Sequence, residues 1–190
     1  MKRLLGLLMV IASGACGEDP KPLVGEVRWV DSCLREGVGQ SGGPHVITGT
    51  NSSAGKDIYC AISQANGVIH VDLRAVTGDN IDSSSEAVFF SVDFSAVGRS
   101  ADNGGSGALR GTGWAVSRAQ IVGQTMMYPC EVQLTSADLA SRSFSGRFKC
   151  ANLRADDMTP PRICAVRGQN NLTREAEWGD FTFSNCNSAD

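Results

Sequence analysis

Aromatic residues make up only 6% of this 190-residue sequence, and it holds just two histidines. No two of its cysteines form a C-x-x-C pair, and His45 and His70 lie well apart. That scarcity argues against a zinc site, and no cofactor is expected. Basic residues do not exceed acidic ones: 17 stand against 20, for a net charge of −3. With no cationic surplus to neutralise phosphates, nucleic acid is excluded as an expected partner. Beyond residue 15 no apolar run approaches the roughly 20 residues that span a bilayer. Nor does any segment sustain a 3.6-residue period. At most "TSADLASR" (135–142) predicts a short helical turn, with Ser136 as its cap.

What the sequence does have is alternation. In "VIHVDLRAV" (68–76), Ile69, Val71, Leu73 and Ala75 share one parity, and His70, Asp72 and Arg74 the other. In "EAVFFSVDFSAV" (86–97), Val88, Phe90, Val92, Phe94 and Ala96 share a face, as do Ile58, Cys60 and Ile62 in "DIYCAIS" (57–63). Period two marks strands with one face buried and one wet. Further strands are expected near 45–50, 113–122, 130–135, 144–150, 162–167 and 180–185. Gly, Asn, Asp and Ser clusters separate the runs, and the 22 glycines suit many tight turns. The pattern predicts an all-β fold, an antiparallel two-sheet β-sandwich of eight or nine strands.

Strand parity also predicts one disulfide. Cys130, Val132 and Leu134 share a face, and so do Phe144, Gly146, Phe148 and Cys150. Folding the two runs back through 136–143 with Cys130 opposite Cys150 sends every apolar residue to the core and every charge outward. A slip of one residue would destroy that match.

Several short motifs resemble catalytic signatures without the surroundings those signatures need. "GVGQSGG" (37–43) fits both G-x-G-x-x-G and G-x-S-x-G with Ser41, but Pro44 and a strand-like run follow where a helix is required. It reads as a flexible Gly-rich connection. Asp57 before His70 would complete a Ser41-based triad order, yet would crowd it into about 30 residues of β-structure. Ser53-Ala54-Gly55-Lys56 matches S-x-x-K but lacks companion motifs, and reads as a loop. His70, Asp72 and Arg74 read as a solvated strand face. Asp79, Asp82 and Glu86 offer oxygens to calcium, but their spacing fits no EF-hand, and polar turn chemistry accounts for them. Trp29, Trp114, Trp178, Tyr59 and Tyr128 would need to gather on the surface to bind a sugar, and core or rim packing is their default. Asn51-Ser52-Ser53 and Asn171-Leu172-Thr173 match the glycosylation sequon, which matters only outside bacteria. No convergent catalytic set emerges, and the chain is not expected to be an enzyme.

The first residues carry the clearest signal. Lys2 and Arg3 are followed by the apolar run 4–12 and then by Ser13-Gly14-Ala15-Cys16. Positive, apolar, small is the order of a secretory signal, expected to be removed at 1–15. Residues 13–16 resemble a bacterial lipobox, with Ser13 where that family usually has Leu. An ordinary signal peptidase could cut the same Ala15–Cys16 bond, leaving a secreted or periplasmic protein. The resemblance implies that Cys16 becomes the N-terminus and carries diacylglycerol and fatty-acyl chains such as palmitate. The membrane is then a partner through that lipid. Removing Lys2 and Arg3 leaves 15 basic against 20 acidic residues, a net of −5, so acyl chains rather than charge would supply the membrane affinity.

Seven cysteines cannot all pair: they are Cys16, Cys33, Cys60, Cys130, Cys150, Cys164 and Cys186. With Cys16 acylated, an even six remain for an oxidising compartment. Beside Cys130–Cys150, the simplest pairing is Cys33–Cys60 and Cys164–Cys186. Residues 16–26 read as anchor and short tether, and 27–190 as a single domain. The body loosely resembles the cysteine-stapled β lipoproteins of myxobacteria, some of which serve contact-dependent motility or surface exchange. Gly17 is not the Asp that resembles an inner-membrane retention signal in enteric bacteria. These likenesses imply an outer-membrane lipoprotein of the cell envelope, with an envelope or surface protein as partner. A glycan or small-ligand module, and more remotely a hydrolase, are the other readings.

Overall fold

The structure, a computed structural model, describes residues 21–35, 38–78, 86–101, 106–111, 114–121, 129–150, 153–155, 162–167 and 178–188. These residues form thirteen β-strands: β1 (Val24–Arg35), β2 (Val38–Thr50), β3 (Lys56–Ala65), β4 (Val68–Thr77), β5 (Ala87–Phe94), β6 (Ser106–Gly111), β7 (Trp114–Ile121), β8 (Pro129–Asp138), β9 (Ser143–Cys150), β10 (Leu153–Ala155), β11 (Arg162–Arg167), β12 (Gly179–Ser184) and β13 (Asn187–Ser188). The expected all-β fold is what forms. Nine strands make its body, five in the order β2-β1-β12-β9-β8 and four in the order β6-β5-β4-β3. The two groups lie in one continuous path of paired strands because β7 and β8 are joined by two parallel pairs, Gln120↔Pro129 and Ile121↔Cys130. One edge of β1 is shared: residues 24–28 pair with β12 and residues 30–34 with β11.

The alternating residues build the core between the layers. Of seven phenylalanines six are buried there. Phe90 of β5 meets Phe148 of β9 across the interior, ring centroids 5.1 Å apart. Gly25 of β1 sits so close to the opposite layer that an added Cβ would lie 2.7 Å from Ile58 Cγ2. On β4, Ile69, Val71, Leu73 and Ala75 are buried while His70, Asp72 and Arg74 face outward, as alternation requires. Between β3 and β4 the chain reverses through Asn66 and Gly67, both at positive φ (52° and 81°), the conformation a two-residue hairpin turn demands.

The β8–β9 hairpin has the expected register: Cys130↔Cys150, Val132↔Phe148 and Leu134↔Gly146. Cys130 and Cys150 are disulfide-bonded with their Cα atoms 4.1 Å apart.

Other expectations are corrected. The pairings Cys33–Cys60 and Cys164–Cys186 do not form, because Cys60 is bonded to Cys186 over 126 residues. The segment 37–43 is no loose connection: from Val38 onward it is part of β2, paired along β1 with one irregularity between Val30 and Ser32. Backbone pairing there overrides the conformational freedom of the glycines. No helical turn forms at 135–142. Strand β8 runs on to Asp138, whose carboxylate accepts from Ala140 N and Ser141 N and turns the chain. Ser136 contacts Ser145 across the hairpin instead of capping a helix. Finally β1 begins at Val24, inside the expected tether, and Leu23 is already buried.

Candidate functional site

Three clusters of side chains on the described residues have chemistry worth weighing. On the outer face of β4, His70 lies between two carboxylates. Its Nδ1 is 2.6 Å from Asp93 Oδ1 on β5, and its Nε2 is 3.3 Å from Asp72 Oδ2 on its own strand. Register explains the first contact, because His70 is the direct partner of Asp93; on its other side it faces Ser63 of β3. Partial burial works against the imidazolium, but the Asp93 hydrogen bond and the Asp72 and Asp93 charges outweigh it and raise the His70 pKa above its ordinary value. An imidazolium donates to both carboxylates, whereas a neutral ring would turn a lone pair toward one of them. A general base needs that lone pair free for substrate, so this arrangement suits a fixed cation better than a proton acceptor. Asp57 does not join it: its carboxylate is paired with Arg74.

The second cluster is interior. His45 of β2 is buried, stacks on Trp29, its direct partner on β1, and places Nδ1 2.6 Å from Glu86 Oε1. Glu86 precedes β5, so the pair bridges the two layers. Trp29 Nε1 is buried with no acceptor among the described residues. Sequence reasoning missed this pair. The available signal was that His45 shares the inward parity of Ile47, but nothing along the chain links it to Glu86.

The third lies outside β8, β9 and β12. Arg147 Cζ and Lys149 Nζ lie over the Trp178 ring, 4.3 and 4.6 Å from its centroid. Lys149 Nζ also meets Glu131 Oε2 at 2.8 Å, Ser100 Oγ donates to Glu131 Oε1 at 2.9 Å, and Arg147 Nε donates to Gln133 Oε1 at 2.6 Å. Partial burial works to raise the Glu131 pKa, but the hydrogen bonds from Lys149 and Ser100 and the nearby cations hold it below the usual range. The network satisfies its own charges.

The remaining sequence candidates stay dispersed. Ser53 Oγ accepts from Thr50 N, while Lys56 Nζ donates to the Thr48 carbonyl, so the S-x-x-K pair is spent on turn structure. Ser41 lies on β2 opposite Ser32. Among the aromatics Trp29 is buried, Trp178 is covered by cations and Tyr59 is exposed on β3. Asp79, Asp82, Tyr128, Asn171 and Cys16 lie outside the described residues. Among the described residues no group of three His, Cys, Asp or Glu side chains is placed to hold a metal ion. Comparison with known proteins finds no family model, no curated protein and no solved structure that matches this chain.

Proposed function

We propose that the chain is a lipid-anchored protein of the bacterial cell envelope, held at the outer membrane through Cys16, whose β-sandwich serves protein interaction or envelope structure rather than catalysis. The observation that carries this reading is the order of the first sixteen residues: Lys2-Arg3, an apolar run, then Ser13-Gly14-Ala15-Cys16. The two disulfides support it, since bonds of that kind persist in exported proteins. Leu23 is buried, so only residues 17–22 separate the anchor from the packed domain. At ~3.3–3.6 Å per residue that reach is about 20 Å, which keeps the sandwich against the membrane surface. A non-catalytic role is favoured because both His70 nitrogens face carboxylates, Asp57 is paired with Arg74, and Ser53 and Lys56 are spent on backbone contacts.

Metabolic labelling with a fatty acid tests the anchor. The wild type takes the label and sediments with membranes, and Cys16→Ser loses both properties. A wild-type protein that stays unlabelled and soluble would overturn the reading.

A further inference from the structure

We infer that Cys33 and Cys164 form a third disulfide, which ties β1 to β11 and leaves Cys16 as the single unpaired cysteine of the chain. Four of the six cysteines beyond residue 16 are consumed by Cys60–Cys186 and Cys130–Cys150. The two left over are direct Cα partners: β1 and β11 pair antiparallel from Val30↔Arg167 to Leu34↔Ile163, and Cys33↔Cys164 falls within that run. Cys130 and Cys150 stand in the same relation, opposite one another on adjacent antiparallel strands, and they are bonded. Directly opposed residues bring Cβ atoms to roughly 4.5–5.5 Å, from which a small adjustment reaches disulfide geometry. The opposition also depends on register, since a shift by one residue would remove it.

The chemistry balances through exchange with a protein disulfide. The two thiols give up two protons and two electrons, one S–S bond forms, and the disulfide of an oxidoreductase in the exported compartment is reduced to a dithiol. The resulting connectivity is interleaved, because Cys60 falls between Cys33 and Cys164 in the sequence while Cys186 falls outside them. The loops closed by the two long-range bonds therefore overlap, and neither can be cut away as a separately closed piece. Strand β11 lies at the margin of the sheet, held by β1 and by the three pairs of β10. The bond fixes that margin to a strand that β2 and β12 also pair.

The inference rests on the exported reading only for its oxidant, and one experiment separates the two. Full-length protein recovered from cells is alkylated under denaturing conditions and then digested with trypsin without reduction. The expected product is a linked pair of peptides, residues 29–35 joined to residues 163–167. Both peptides recovered alkylated, with Cys60–Cys186 and Cys130–Cys150 still linked, would overturn this inference and leave the exported reading standing. So would either cysteine joined to a different partner. All six recovered alkylated would overturn both. In Cys164→Ala, one new alkylated site should appear, at Cys33. If that variant does not accumulate, the wild-type digest still decides.

Discussion

The two bonded cysteine pairs sit in regions of opposite character. Cys130–Cys150 closes a hairpin: both residues lie on strands adjacent in sequence and in space, 20 residues apart. Cys60–Cys186 spans 126 residues. It joins β3 to the segment where the chain leaves β12 in the other layer and enters the short parallel pairing Asn187↔Ala61 and Ser188↔Ile62. The hairpin bond follows from parity, because two alternating runs and one turn admit a single register that buries every apolar side chain. The long bond depends on where the chain crosses between layers, and no local pattern encodes that crossing.

Their energetic roles differ in the same direction. On the chain-entropy model a cross-link stabilises by restricting the unfolded chain, more so for longer loops. Because Cys33–Cys164 already shortens the path between Cys60 and Cys186, Cys60→Ala/Cys186→Ala is expected to lose about 4 kcal/mol of unfolding free energy, and Cys130→Ala/Cys150→Ala about 3 kcal/mol, read from denaturant midpoints. The larger loss would consume much of the ~5–15 kcal/mol that holds a typical domain folded. Equal losses, or a reversed order, would break the comparison and place the stabilisation in local packing instead of loop length.

Much of the architecture is legible in the sequence for the same reason as the hairpin. Strands β4, β5, β8, β9 and β12 alternate over most of their length because one face of each is buried and the other is wetter, whereas in β3 Ala61 is buried beside Cys60 and Ile62. The weaker signals fail where that asymmetry disappears. In β2 the stretch "VGQSGG" (38–43) has no side-chain pattern to read, yet Val38 to Ser41 pair along β1. Strand β6 overlaps "DNGGSG" and is equally featureless. At the β8 end, "TSADLASR" has helical propensity, but the Asp138 carboxylate and the Ser136–Ser145 contact hold it as strand and turn. The His45–Glu86 pair needed 41 residues of intervening fold to be known first.

A glycine sharpens the contrast between the hairpin and the β1 region. At Gly146 an added Cβ would lie 2.2 Å from the Phe181 ring and 2.5 Å from the Gln133 carbonyl oxygen. At Gly25 the nearest atoms are all side chain, Phe183 at 2.4 Å and Ile58 at 2.7 Å. Side chains can yield, whereas the backbone of a paired strand cannot without breaking its ladder. Gly146→Ala is expected to cost about 1–3 kcal/mol by overpacking, and more than Gly25→Ala. Urea midpoints of the two variants check the order, and a costlier Gly25→Ala would show that β1, not the hairpin, is the tighter seam.

The smallest expected effect belongs to His70, and it concerns pH. Asp72 on its own strand and Asp93 on β5 face its ring, and the uncharged Ser63 is its partner on β3. Although partial burial opposes the cation, the two carboxylates leave the folded-state pKa raised. A group whose pKa is higher folded than unfolded binds its proton more tightly in the native state. Its contribution is therefore complete below the unfolded value, about 6.5, and is lost as pH rises through the folded value. The side chain is 38% exposed, so solvent screening keeps the contribution under ~1 kcal/mol. His70→Gln should then sit closest to wild type in stability above pH 8 and fall furthest below it near pH 5.5. Taking the difference between the two proteins cancels His45, which is present in both. Paired denaturant titrations at the two pH values read that difference. A gap that does not narrow as pH rises would show that His70 contributes by packing on the β4–β5 face and not through its charge.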